Sequence, residues 1–294
     1  MLISLKNDQI SLTVDSMGAQ MMSLTAGDTE YLWQGEAKYW SDRAPTLFPF
    51  IGRLTQNSYC YKGKIYHMTI HGFASQIDFT PIEQGADYVI LSLSSNIASL
   101  VLYPFDFTLD VTYRLVESSV AVTYTVRNKS GDVMPFGIGG HPGFRVPICE
   151  GNRFEDYYLE FSLPCKPDRV GFTPQLFLSS HDEAYPLEDS KRISLRHDLF
   201  DEDAIILKNM CREISLRSET SGHFVKVSYP QMAYLGIWHW PKTDAPYVCI
   251  EPWTSLPSRQ DVVEDFACKS DLIHLLPSKT YENTWTITIG RNEP

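Results

Sequence analysis

Four side chains stand in settings suited to acid–base chemistry: Arg53, His71, His141 and Glu251. Each lies beside glycine, proline or aromatic residues that fix the local backbone, as a group held in one reactive pose requires. Arg53 follows Phe48-Pro49-Phe50-Ile51-Gly52, and His71 opens His71-Gly72-Phe73-Ala74. His141 is central to Gly139-Gly140-His141-Pro142-Gly143-Phe144, and Glu251 belongs to Cys249-Ile250-Glu251-Pro252-Trp253. Binding and catalytic residues concentrate in loop-like segments of this kind. A glutamate at its ordinary pKa is ionised at pH 7, and a neighbouring carboxylate can hold a histidine protonated. Glu251 and His141 are thus expected to serve as base and acid at neutral pH, with no cofactor. Arg53 offers a rigid fork of donors to ligand oxygens. Trp253, two residues beyond Glu251, is expected to stack on an apolar ligand face, with Trp238 and Trp240 as further candidates.

Plainer uses of the same residues are weighed beside these. His141 alone could cap a turn, Glu251 could be a solvated strand-end carboxylate, and Arg53 could pair with a surface acid such as Asp42. An isolated histidine such as His71 is more often a satisfied core residue than a ligand. His67 and His71 have the i, i+4 spacing of helical metal ligands, but 66–70 reads as a strand, so no metal site is expected. Gly137-Ile138-Gly139 hints at a dinucleotide loop, yet Pro142 holds the place of the third glycine and no helix pattern follows. There is no Gly-x-Ser-x-Gly elbow, and only one convincing carboxylate where a retaining glycosidase needs two.

The elements that must position these residues read as strands. Apolar residues alternate at Ile10, Leu12 and Val14; at Phe107, Leu109, Val111, Tyr113 and Leu115; and at Val120, Val122, Tyr124 and Val126. The polar stretch 116–119 between the last two runs is expected to be a hairpin tip. Further strands are expected at 88–93, 224–229, 247–251 and 284–289. No amphipathic helical run of a dozen residues is present, and Gly and Pro punctuate the chain at intervals suited to strand connections. The class is all-β, a large antiparallel β-sandwich. Segment 166–203 is more polar and reads as an excursion; without a Ser/Gly-rich linker, 1–294 is taken as one domain.

Composition limits the partners. The chain has 294 residues, 43% hydrophobic and 13% aromatic, enough to build a substantial core. A formal charge of −11 would repel phosphate backbones and anionic lipid, so neither nucleic acid nor membrane is an expected partner. Six cysteines are scattered without a Cys-x-x-Cys pair, as expected for reduced thiols. The first ten residues lack a signal-peptide pattern, which makes the cytoplasm the expected compartment. Composition leaves the oligomeric state open.

Taken in order, these segments resemble the aldose 1-epimerase (galactose mutarotase) family, and in particular its LacX-like branch. The similarity runs from the first strand to Leu275-Leu276-Pro277-Ser278-Lys279-Thr280, with Gly-Gly-His-Pro-Gly-Phe and Ile-Glu-Pro-Trp its most specific parts. The resemblance implies a β-supersandwich that interconverts the α and β anomers of a free aldohexose such as galactose or glucose. It implies His141 as general acid, Glu251 as general base, and Arg53 and His71 as ligands of the sugar hydroxyls and ring oxygen. Asp244, in the turn-like Lys242-Thr243-Asp244-Ala245, is not assigned the hydroxyl-binding role of the family aspartate. Two alternatives remain at this stage. One is a hexose-6-phosphate mutarotase, for which only Arg43, Arg53 and Lys242 suggest a phosphate cluster; the other is a non-catalytic carbohydrate-binding protein on the same fold.

Overall fold

The hairpin expected from alternation forms over its full length. Strands Phe107–Val116 and Ser119–Asn128 pair antiparallel from Phe107↔Asn128 to Val116↔Ser119, and the second strand buries every other residue. The structure, a computed structural model, describes residues 1–291. Among the described residues it is all-β, with one short α-helix, Ile97–Leu102, capped by Asn96.

Two large sheets dominate. The nine-stranded sheet runs, edge to edge, Arg192–Ser194, Tyr157–Phe161, Glu213–Ser218, His223–Ser228, Thr280–Arg291, Ser119–Asn128, Phe107–Val116, Tyr88–Ser94 and Thr80–Gln84. Thr280–Arg291 is its hinge piece, since this late strand joins a half built from 80–128 to a half built from 157–228. Its inward residues Trp285, Ile287 and Ile289 are buried, as period-two alternation requires. The eight-stranded sheet contains Tyr234–Trp238, Tyr247–Trp253, Gly139–Gly140 and Thr46–Leu47 as consecutive neighbours, with Gly143–Arg145 also pairing to Tyr247–Trp253. A four-stranded sheet from Leu2–Lys6 to Thr29–Glu30 accompanies them.

Segment 166–203 is less of an excursion than its polarity suggests. Asp168–Arg169 and Glu183–Ala184 extend one edge of the eight-stranded sheet, and Arg192–Ser194 forms an edge of the nine-stranded one. Edge strands tolerate charged side chains, which accounts for the composition.

The two large sheets meet under the His141 segment. A Cβ added at Gly140 would lie 2.6 Å from Trp285 Cζ2, so only a bare Cα allows the sheets to approach this closely. The Tyr124 hydroxyl donates to the Gly139 carbonyl at 3.2 Å, tying the same rung to the nine-stranded sheet. Because neighbouring residues on a strand face opposite ways, Gly140 facing the core turns His141 away from it.

Candidate active site

Strand register brings the acid and base candidates together. Tyr247–Trp253 is buried at all seven positions, so Glu251 lies inside a covered central strand and not at a solvated end. Gly139 pairs with Trp253, and Gly143 pairs with Cys249. Midway between these two pairs His141 stands opposite Glu251, with Ile250 N–H donating to Pro142 O at 3.1 Å to hold the rung. Directly opposed residues in antiparallel strands share a face, with Cβ atoms about 5 Å apart. Here Nε2 of His141 lies 3.2 Å from Oε2 of Glu251. On the other flank of Glu251 the partner is Gly236, where a Cβ would approach the Glu251 Cβ to 3.2 Å. That glycine leaves the carboxyl the room it occupies.

The pair is close without being consumed. Glu251 is 1% exposed and His141 9% exposed, yet among the described residues neither Glu251 Oε2 nor His141 Nδ1 has a hydrogen-bond partner. The contact at 3.2 Å therefore lacks hydrogen-bond alignment, and both groups remain available to a third one. Burial pushes the Glu251 carboxyl well above its ordinary pKa, and the Asp203 charge adds to this. Burial also drives His141 well below its ordinary value, aided by the neighbouring His71. Loss of water works against both the ionised glutamate and the charged histidine expected from the sequence, while their opposite charges at 3.2 Å work for them. The pair is best described as holding one proton between them across neutral pH.

His71 reaches the same place by another route. Its N–H donates to Gly52 O at 3.0 Å, and its Nδ1 accepts from Gly52 N–H at 3.1 Å. An amide N–H can only donate, so Nδ1 is the acceptor and the hydrogen of the neutral ring resides on Nε2. Burial, then the Arg53 charge, lower its pKa to about 4. His71 takes a positive φ of 63°, and Gly72 follows at 80°, where a Cβ would meet Phe48 O at 2.2 Å. This turn swings the imidazole to within 5.6 Å of the His141 ring, centroid to centroid. His67 ends the strand Lys64–His67 and pairs its Nδ1 with Ser58 Oγ at 2.9 Å, so His67 and His71 do not share a helix face.

Arg53 is exposed, with Ser258 N–H donating to its carbonyl, and its side chain forms no ion pair among the described residues. The supposed pairing with Asp42 is absent there. Trp253 lies 6.3 Å from His71 but is 4% exposed and packs with Leu47, Ile51 and Ile206, its indole N–H buried without a partner. The ring nearest His141 is Trp40, at 4.8 Å, with Trp238 edge-on at 5.7 Å. Both are partly exposed and 5.6 Å apart, perpendicular to each other. Sequence reasoning missed Trp40, whose loop has no periodicity; its only signal is the bare Gly143 beneath it, where a Cβ would lie 3.1 Å from the indole. Asp244 is indeed exposed, accepting from Tyr39 Oη at 2.7 Å with Lys38 at 3.7 Å. Arg43 is engaged elsewhere, donating to Met22 O and Gln34 Oε1.

The family model for aldose 1-epimerase matches residues 1–264. The chain belongs to the aldose 1-epimerase family. It is 32% identical to the chromosomal Protein LacX of Lactococcus lactis subsp. lactis, over 98% of this chain and 99% of that protein. Among solved structures it resembles a galactose mutarotase related enzyme from Lactobacillus acidophilus, with a TM-score of 0.94 and 33% identity over 99% of this chain and 97% of that one. A galactose mutarotase-like protein from Lactobacillus casei ATCC 334 gives a TM-score of 0.92 and 30% identity over 99% and 100%. The fold is that of the galactose mutarotase-like proteins. Among the described residues no helix is long and apolar enough to cross a membrane.

Proposed function

We propose that the chain is an aldose mutarotase that interconverts the α and β anomers of a free aldohexose such as glucose or galactose. The observation carrying this reading is the His141–Glu251 pair, opposed at 3.2 Å on one rung and buried, with Glu251 Oε2 and His141 Nδ1 free of hydrogen-bond partners among the described residues. Glu251 removes the proton of the C1 hydroxyl while His141 delivers one to the ring oxygen; the C1–O5 bond breaks and the C1 carbonyl forms. The open aldehyde turns about C1–C2, and closure runs the same transfers in reverse on its other face. Each half-reaction moves the pair's single proton from one group to the other. Burial favours the arrangement in which Glu251 has taken the proton and His141 has given it up.

His71, donating from Nε2, and Arg53 at the rim are assigned to sugar oxygens. Trp40 and Trp238 are assigned to the apolar face of the pyranose, with Trp253 contributing its N–H. A continuous core containing residues from Ile3 to Ile289 supports treating the chain as one domain. A phosphorylated substrate is disfavoured because Arg43 is committed to Met22 and Gln34.

Polarimetry of freshly dissolved α-glucose and α-galactose tests the reading. Acceleration with either sugar, lost when His141 is replaced, supports it. No acceleration with any common aldose, while calorimetry still detects sugar binding, would leave a carbohydrate-binding protein instead; a strong preference for glucose 6-phosphate would overturn the substrate assignment.

A further inference from the structure

The rung that holds Glu251 presents a third reactive side chain. Cys249 lies two residues before Glu251, so it projects from the same face of Tyr247–Trp253, and its opposite partner is the bare Gly143. The thiol, the Glu251 carboxyl and an imidazole nitrogen of His141 all lie within 4.8 Å of one another. All three residues are buried, Cys249 at 0% exposure. Cys249 is a free thiol, and Oε2 of Glu251 is unpartnered.

We propose that His141, Cys249 and Glu251 form a site for a thiophilic divalent cation, of which Zn²⁺ is the representative, and that its occupation shuts down the acid–base pair. One nitrogen, one sulfur and one carboxylate oxygen are the donor set zinc takes, and three protein ligands leave a fourth position for water. Hard cations such as Mg²⁺ and Ca²⁺ call for six or more oxygens, which this rung does not supply. Zinc bond lengths place ligand atoms roughly 3.5 Å apart, so side-chain rotation of about 1 Å closes the trio on an ion.

Charge favours the same outcome. A thiolate and a carboxylate together carry two negative charges, which the cation cancels, so the burial that otherwise penalises each ionised group no longer opposes them. Loading therefore expels protons and tightens as pH rises. His141 Nδ1 lacks the outer acceptor that usually orients a zinc-bound imidazole, which makes this an exchangeable site and not a structural one. The bound ion would occupy lone pairs that the acid and base need. That part rests on the mutarotase reading; the binding itself does not.

Two measurements separate the claims. Co²⁺ titrated into the full chain is expected to give the near-ultraviolet absorption of a cobalt–thiolate bond, displaced by Zn²⁺ and absent in Cys249→Ser and Cys249→Ala. Zn²⁺ is also expected to inhibit anomerisation reversibly, with EDTA restoring the rate. Each variant, judged against its own metal-free rate, should need more Zn²⁺ than wild type by at least the roughly 10–100-fold that loss of an outer-shell partner costs. A cobalt–thiolate band with no anomerisation in any condition would support the cation site while removing the mutarotase reading. Anomerisation with no thiolate band, or with inhibition unchanged in both variants whose circular dichroism is native, would overturn the site.

Discussion

Replacing Glu251 by Gln tests the proton bookkeeping of the buried pair as well as the chemistry. Glutamine keeps the shape and removes the proton-holding carboxyl. In the native chain burial raises the carboxyl from its ordinary 4.5 and lowers the His141 imidazole from 6.5, so the pair keeps one proton near neutrality. Well above pH 6.5 the unfolded chain holds neither proton. Native wild type then binds one more proton than unfolded, and its stability falls as pH rises, by about 1.4 kcal/mol per unit until the pair lets go. The Gln variant has no such proton, so this part of its stability is flat over the same interval. Between pH 7 and 8.5 the variant should therefore gain on wild type, by about 1.4 kcal/mol for each unit over which the native pair keeps its proton. Urea unfolding of both proteins at several pH values in that window measures the difference directly, and other titrating groups cancel. Anomerisation should meanwhile fall on the order of 10²–10⁴-fold. A stability difference that does not change with pH would show that the pair is not carrying a proton, and the shared-proton description would be wrong even if activity were lost.

The kcat/KM profile should be a plateau spanning neutrality. Its acid limb, where the pair accepts a second proton, should lie below the ordinary histidine value of 6.5, and its alkaline limb well above 4.5; an acid limb centred at the ordinary histidine value would contradict the burial argument. His71 should stay neutral down to a pKa of about 4, as read from its ring C–H resonances during an NMR titration. His71→Phe should raise KM about tenfold through loss of one hydrogen bond, with kcat less affected. Gly72→Ala, at φ 80° and with Phe48 O 2.2 Å from the new Cβ, should cost more than the 1–2 kcal/mol or so of a left-handed backbone. Gly63→Ala, at φ 75° with nothing within 4 Å, is the control that carries the backbone cost alone; equal losses of stability in the two would remove the steric argument.

Some of this architecture is legible in residue order and some is not. Alternation marks Phe107–Val116 and Ser119–Asn128 because each has one face in the core and one in water. Tyr247–Trp253 is buried on both faces, so only its apolar approach to Glu251 gives it away. The His141 and Glu251 motifs are legible, but their opposition depends on the register Gly139↔Trp253, set by pairings between segments remote in the chain. Two-residue strands such as Gly139–Gly140 and Asp168–Arg169 are too short to show a period. Trp40 comes from a loop and is fixed by tertiary packing alone. Cys249 is different: its place two residues before Glu251 on a strand already assigns it to the same face. The charge state of the pair was not legible, because ordinary pKa values presume solvent and the fold removes it.

The position of Thr280–Arg291 between His223–Ser228 and Ser119–Asn128 bears on how the protein is made. Both halves of the large sheet, and the segments carrying His141 and Glu251, are synthesised before the strand that unites them. Trp285, which fills the space left by Gly140, arrives with that strand. A nascent chain on the ribosome would thus have every reactive side chain and no floor beneath them, and the site would be assembled only when the last strand slots in between two edges that have waited for it. Those two edges would meanwhile be open to pairing with other chains. Slowing that final step should reveal itself first as aggregation and only afterwards as lost activity.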